Sequence, residues 1–367
     1  MNYSEILDAL AKQNNLMEEE GANIIFKRSP ELNKGELDPL VLAEKRKEES
    51  EDNPFDVPQD DLLDPAKLAI ELRKRMGSPN IDLSTNIMES DDAFENEGST
   101  INFHIYKPED QKDHLLPAFV FFHGGGFFGG TPGVVANACK GIAEKTPAVV
   151  INVDYRLAPE YPAPAAIHDA YEAVKWVSRN TSKLGIDPTK IIVGGDSAGG
   201  NLAIAASKLD REKGSNLIGM QALLYPAVCI DPEKSVDFAW PAETYHPHPT
   251  FKPKLQESLV GFSGSMYLIK DVYVKDEDPS DPIFSPIFEA ELSQMPATFL
   301  AIAEFDYLRP SEEKYAAKLR EAEVPVTSIC YEGMEHAFID KYGIYPQAED
   351  CVNEIVKMIH SVFELAN

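Results

Sequence analysis

Ser197 stands in the run Gly195-Asp196-Ser197-Ala198-Gly199, a G-x-S-x-G spacing between the apolar stretch IIVGG and the helical pattern NLAIAAS. A serine that attacks a carbonyl carbon must project from a turn so tight that side chains two residues to either side would clash. Glycine at 195 and 199 and alanine at 198 leave that space. The turn also sets the hydroxyl at a helix N-terminus, where the dipole favours developing negative charge. A hydroxyl is a weak nucleophile without a base, and the base needs an orienting group. Downstream lie His246, His248, His336 and His360. His336 follows the strand-like run VTSICY in the loop EGMEH, at the sheet edge where sites of open α/β proteins form. His246 and His248 are interleaved with prolines and no acidic ligand pattern flanks them, which argues against a metal pair, and His360 sits in a terminal helical pattern. The acid should also end a strand: ATFLAIAEFDYLRP offers Glu304 and Asp306. Asp306 lies in the loop proper and is the expected acid, which would hold His336 in the right tautomer; Glu304 reads as a structural partner. The order serine, acid, histidine is that of one known triad arrangement.

Acyl transfer also needs donors for a tetrahedral oxyanion. His123-Gly124-Gly125-Gly126 follows the apolar run FVFF, and the N–H groups of Gly125 and Gly126, with that of Ala198, could converge on such an oxygen. The same loop spells a rival motif. Gly124, Gly126 and Gly129 form G-x-G-x-x-G after a strand, and a later strand ends at Asp154, the outline of a dinucleotide-binding unit. There the helix starts within the glycines, whereas here Thr131-Pro132 delays it. An oxidoreductase would also leave the order of Ser197, Asp306 and His336 as coincidence. A non-catalytic binding protein on the same fold is the other rival; the presence of His336 counts against it. The expected chemistry needs no cofactor and no metal.

Elements must position these residues. INFHIY (101–106) alternates like a half-buried strand, and the runs at 117–122, 148–153, 190–195, 220–225, 297–303 and 326–331 have the form of buried strands. Helical patterns lie between them, one with Ile167, Ala170, Tyr171, Val174 and Val177 on one face. Alternation of strand and helix predicts an α/β protein with a mainly parallel central sheet and helices on both faces. Residues 231–285, rich in proline and aromatics, interrupt it and read as a cap insertion. Residues 1–97 read as an acidic, partly flexible helical arm that contributes to the cap, with disorder expected within 29–61. Asp38-Pro39 and Asp64-Pro65 are helix starts, and Leu68, Leu72 and Met76 form a stripe behind the second. The catalytic domain is then 98–230 with 286–367.

The bulk numbers agree. Of 367 residues 43% are hydrophobic, enough for a sizeable core. A formal charge of -27 disfavours nucleic acid and anionic membranes as partners, both being polyanions. The four cysteines lie far apart, with neither a disulfide framework nor a zinc pattern. The first residues lack the basic start and apolar stretch of a signal peptide, and no run is long enough for a membrane span, so a cytoplasmic protein is expected.

Five blocks carry a resemblance: HGGGF at 123–127, DYRLAPEYPAPAA at 154–166, GDSAGGNLA at 195–203, AEFDYLR at 303–309 and EGMEHAF at 332–338. In this order the chain resembles the hormone-sensitive-lipase family of α/β-hydrolases, the bacterial family IV esterases. The resemblance implies an α/β-hydrolase fold with an eight-stranded sheet, a cap built from the arm plus the insertion, and serine carboxylesterase activity on short acyl esters as small-molecule partners. It implies Gly125, Gly126 and Ala198 as oxyanion donors, and a structural polar network containing Asp154 and Arg156. A family-style homodimer is compatible with it. The chain departs from the family at Tyr307, where proline is usual after the acid, and at Pro310, where aspartate is common. No family motif aligns with the first 97 residues.

Overall fold

All seven expected runs become strands of one sheet, and three more strands join them from the region read as a helical arm. The computed structural model describes residues 1–19, 21–50, 63–109, 115–239 and 242–365. In chain order the strands are β1 (Asn15–Glu19), β2 (Ala22–Lys27), β3 (Ile87–Asn96), β4 (Ser99–Pro108), β5 (Leu116–Phe122), β6 (Val149–Asp154), β7 (Ile186–Asp196), β8 (Ile218–Leu224), β9 (Ala297–Ala303) and β10 (Val326–Tyr331). They lie in the order β1-β2-β10-β9-β8-β7-β5-β6-β4-β3. From β2 to β6 every neighbouring pair is parallel, and β1, β4 and β3 add antiparallel edges. Every residue of β5 is buried, as a strand covered on both faces requires.

The helices are α1 (Tyr3–Ala11), α2 (Pro39–Ser50), α3 (Pro65–Arg73), α4 (Pro132–Lys145), α5 (Ala165–Arg179), α6 (Ala198–Glu212), α7 (Pro232–Ala239), α8 (Lys252–Ile269), α9 (Arg309–Glu321) and α10 (Pro346–Val362), besides one four-residue turn of helix after α5. Asp64 caps α3, its carboxylate accepting the N–H of Ala66 at 3.0 Å, with Pro65 in the first turn. Asp38 accepts from Leu40 at 2.9 Å in the same way at the start of α2. α4 begins at Pro132 as expected, although the Thr131 side chain makes no capping bond.

The eight-stranded expectation is therefore corrected to ten among the described residues, and the arm is not purely helical. β1 and β2 form a hairpin that lays Ile24 beside Ser328 of β10. β3 pairs along its whole length with β4, so the boundary expected between 97 and 98 falls in the turn of a hairpin. The physical reason is at the edge. β3 reads IMESDDAFEN because an edge strand half in water is guarded by carboxylates, which erases the apolar alternation a strand is recognised by. α2 occupies Pro39–Ser50 of the segment expected to be partly disordered, and the part from 51 to 61 lies outside the described residues. The insertion 231–285 holds helices α7 and α8 and, among its described residues, no strand. It meets the arm at Gly35, where a Cβ would come within 2.6 Å of the His246 carbonyl.

Candidate active site

Ser197 sits between the last residue of β7 and the first of α6, with φ 54° and ψ −116°. That backbone is strained for a side chain larger than glycine, and such strain persists only where the surroundings over-determine it. Here they do. The Ser197 N–H donates to Leu224 O at 2.8 Å, and its carbonyl accepts from Ala227 and Asn201 at 3.1 Å each. A Cβ at either Gly195 or Gly199 would run into the carbonyl of Phe122 at the end of β5. The two glycines are thus the space into which the turn folds.

His336 lies in the loop after β10. Its Nε2 is 2.8 Å from Ser197 Oγ and its Nδ1 is 2.5 Å from Asp306 Oδ2. A proton on Nδ1, donated to Asp306, leaves Nε2 free to accept from the serine hydroxyl. Asp306 is 1% exposed, and its other oxygen accepts the N–H of Leu308 at 2.9 Å. The imidazole stands between two rings, Tyr225 from the core and Phe262 from α8, each with its centroid 4.9 Å away. Glu304, the competing acid, points elsewhere and accepts from the Gly333 N–H at 2.7 Å. Burial pushes its carboxyl up to about 7, against the opposing pull of that N–H and of Arg309.

The glycine loop after β5 folds back on itself, with Gly129 N–H donating to Gly125 O at 2.8 Å. Gly125 and Gly126 take φ of 120° and 61°, open to glycine at little cost. The amides of Gly125, Gly126 and Ala198 donate to no protein group among the described residues. All three residues line the same cavity as Ser197 and His336, of about 230 Å3. The loop is held from below. Gly124 N–H donates to Asp196 Oδ1 at 2.8 Å, and Tyr155 Oη donates to His123 O at 2.7 Å. His123 is fully buried against the Tyr155 ring, and its imidazole is pushed down to about 4 by burial, so it is a neutral spacer. Burial pushes Asp196 up to about 6, moderated by the Gly124 N–H and by His336.

Sequence reasoning missed Asp196, which occupies a variable position of its motif, and Phe127, whose φ is 64°. It also missed the cavity wall: Met76 behind α3 and Phe262, Met266 and Ile269 of α8. The last three carry a helical signal, the spacing of 262, 266 and 269, but nothing local says which face meets a substrate. The polar network expected around Asp154 and Arg156 is corrected in one member. Arg156 forms a bidentate pair with buried Asp169 of α5, at 2.9 and 2.8 Å, whereas Asp154 is exposed at the end of β6. His246 and His248 lie together by Gly35; among the described residues no cluster of His, Cys, Asp and Glu suits a metal. The four cysteines are buried and unpaired, and no helix among the described residues is long and apolar enough to cross a membrane.

Comparison with known proteins bears on the fold and the activity. Residues 119–340 match the model of a family with the α/β-hydrolase fold. Esterase LipI of Mycobacterium tuberculosis is 31% identical over 262 residues, covering 71% of this chain and 78% of its own. An arylesterase of Saccharolobus solfataricus is 34% identical over 260 residues, covering 70% and 78%. A hyperthermophilic esterase from Pyrobaculum calidifontis superposes with a TM-score of 0.69 at 32% identity, covering 90% of this chain and 100% of that one. An ester hydrolase from the Lake Arreo metagenome reaches a TM-score of 0.74 at 28% identity, over 89% and 99%. The dinucleotide reading of the glycine loop falls with these matches, and with a helix that starts only at Pro132. The chain belongs to the α/β-hydrolase-fold family, in its hormone-sensitive-lipase branch, and is a carboxylic ester hydrolase.

Proposed function

We propose that the chain hydrolyses short-chain acyl esters in two steps through an acyl group carried on Ser197, with His336 as base and then acid, Asp306 as the orienting carboxylate, and the amides of Gly125, Gly126 and Ala198 as oxyanion donors. The observation that carries this reading is the unbroken chain Asp306–His336–Ser197 facing three unpaired amides across one cavity. His336 takes the Ser197 proton as Oγ attacks the ester carbonyl. The oxygen becomes negative within reach of the three amides, donors whose individual removal costs about 3–4 kcal/mol in related chemistry. The C–O bond to the alcohol breaks, and the alcohol leaves with the proton from His336. Water, deprotonated by the same imidazole, attacks the acyl-serine and frees the acid.

The short-chain preference rests on size. A cavity of about 230 Å3 is below the roughly 300–1,000 Å3 usual for drug-sized ligands. Met76 of the arm and Phe262, Met266 and Ile269 of the insertion wall it in, which supports a cap made from both segments.

The test is hydrolysis of p-nitrophenyl esters from acetate to octanoate. Turnover is expected to peak between acetate and butyrate and to fall toward octanoate. Ser197→Ala and His336→Ala should each lose at least about a thousandfold in kcat, because such residues act as a unit. Turnover retained in either variant moves that role to another residue, and rates rising toward octanoate refute the size argument.

A further inference from the structure

Helix α8 crosses the whole site. It runs from Lys252 to Ile269 and continues through a π-helical turn, Lys270–Val274. Near its middle, Phe262 stacks on Tyr307 (centroids 5.3 Å, planes 18° apart) and meets the His336 ring edge-on at 4.9 Å. At its far end, Tyr273 lies flat on Phe127 (4.1 Å, 1°), the residue directly after the expected oxyanion donor Gly126. The same element therefore touches the base through one aromatic stack and the oxyanion loop through another.

Both contacts are anchored outside the cavity. Tyr307 follows Asp306 and replaces the family's usual proline. Its hydroxyl is 3.0 Å from Ser235 Oγ of α7, and its carbonyl accepts from Tyr245 Oη at 3.3 Å. Tyr273 accepts the Ala163 N–H at its carbonyl, 2.9 Å, while Phe127 accepts that of Ala158 at 2.9 Å. The Tyr273 hydroxyl is buried and has no partner among the described residues. Neither tyrosine lines the cavity, so neither has a substrate to touch.

We propose that Tyr273 and Tyr307 are positioning residues, and that α8 is a strut which sets the oxyanion loop and His336 at one fixed separation. This rests on the reading of the site given above. A tetrahedral intermediate must meet donor and base at once, and either group displaced by about 1 Å can lose on the order of a hundredfold in rate. A strut that holds both from one element keeps that separation while the cap covers the cavity.

The experiment reads kcat and KM on p-nitrophenyl acetate, too small to probe pocket depth. Tyr273→Leu and Tyr307→Leu are each expected to lower kcat by about ten- to a hundredfold, with KM within about threefold of wild type. Tyr273→Phe keeps the stack and loses only an unpartnered hydroxyl, so it should run near the wild-type rate. In the double Leu variant the loss should be smaller than the product of the single losses, since both act through one helix. The proposal is overturned if Tyr273→Phe falls as far as Tyr273→Leu, if the Leu variants change KM alone, or if the two losses simply multiply. Thermal unfolding checks folding, and Tyr273→Met or Tyr307→Met replaces any Leu variant that fails it. Turnover retained in Ser197→Ala would sink the reading of the site instead. In an enzyme without ester turnover, the same Leu-against-Phe contrast is read from the rate at which diethyl p-nitrophenyl phosphate labels Ser197.

Discussion

Glu304 shows how close a carboxylate can stand to the proposed triad without joining it. It directly follows β9, two residues before Asp306, is 5% exposed, and spends one oxygen on the Gly333 N–H. Folding raises its pKa from 4.5 to about 7, so the folded state favours the protonated form. The sign follows: this group's stabilisation is complete below about pH 4.5 and is lost as pH rises through about 7. The penalty above that range is about 3 kcal/mol. Glu304→Gln can still accept from Gly333 and carries no charge. It should therefore raise stability at pH 8 by up to that amount and change it little at pH 4.5, as read by urea unfolding at both pH values. An equal gain at both would place the effect outside ionisation. The residues of the proposed site were legible as candidates because each answers a local demand: Gly195 and Gly199 for space, His336 and Asp306 for a place after a strand. Asp196 was not, since its task is to hold Gly124, and that contact belongs to no motif.

At the scale of elements, the N-terminal hairpin is tied to the domain by a buried ion pair. Lys27 of β2 is 2% exposed, 2.6 Å from Asp350 and 2.7 Å from Glu354 of α10, and Tyr331 Oη also donates to Asp350 at 2.9 Å. Removing one member strands the other, so Lys27→Met should destabilise the protein by about 3–5 kcal/mol. Pairing it with Asp350→Leu should recover much of that, which a double-mutant cycle on denaturant unfolding would show. No recovery would mean that Lys27 works through its packing and Glu354. Six strands of the parallel stretch were legible from their own apolar runs, since strands buried on both faces need them, and antiparallel β4 was legible from its alternation. β1, β2 and β3 were not, for different reasons. β3 is an acidic edge, while β2 is a short run, ANIIFK, whose partner β10 lies at the opposite end of the chain. Periodicity identifies a face; it carries no information on which distant strand will cover an edge.

Over the whole molecule, the net charge of -27 far exceeds what any single contact can neutralise. Self-repulsion of that size opposes the compact state and is screened within about 10 Å at 0.1 M salt. The melting temperature should therefore rise by several degrees between about 10 mM and 500 mM NaCl, where the Debye length shrinks severalfold. A flat or falling curve in calorimetry would mean that the surface ion pairs, such as Lys145–Glu349 and Lys140–Asp82, outweigh the net field. The acidic edge at β3 follows the same logic: Glu89, Asp91 and Glu95 are exposed along it and discourage another strand from adding there.

The other end of the sheet has a consequence in time. A ribosome releases Ala22–Lys27 long before the strand that flanks it on one side, Val326–Tyr331, emerges. At about 5–20 residues per second, the interval is on the order of tens of seconds. Throughout it, Ile24 and Phe26, buried in the finished protein, have only the β1 half of their hairpin beside them. This strand is thus made long before it is seated, and over that interval a nascent chain carries an unsatisfied apolar ribbon.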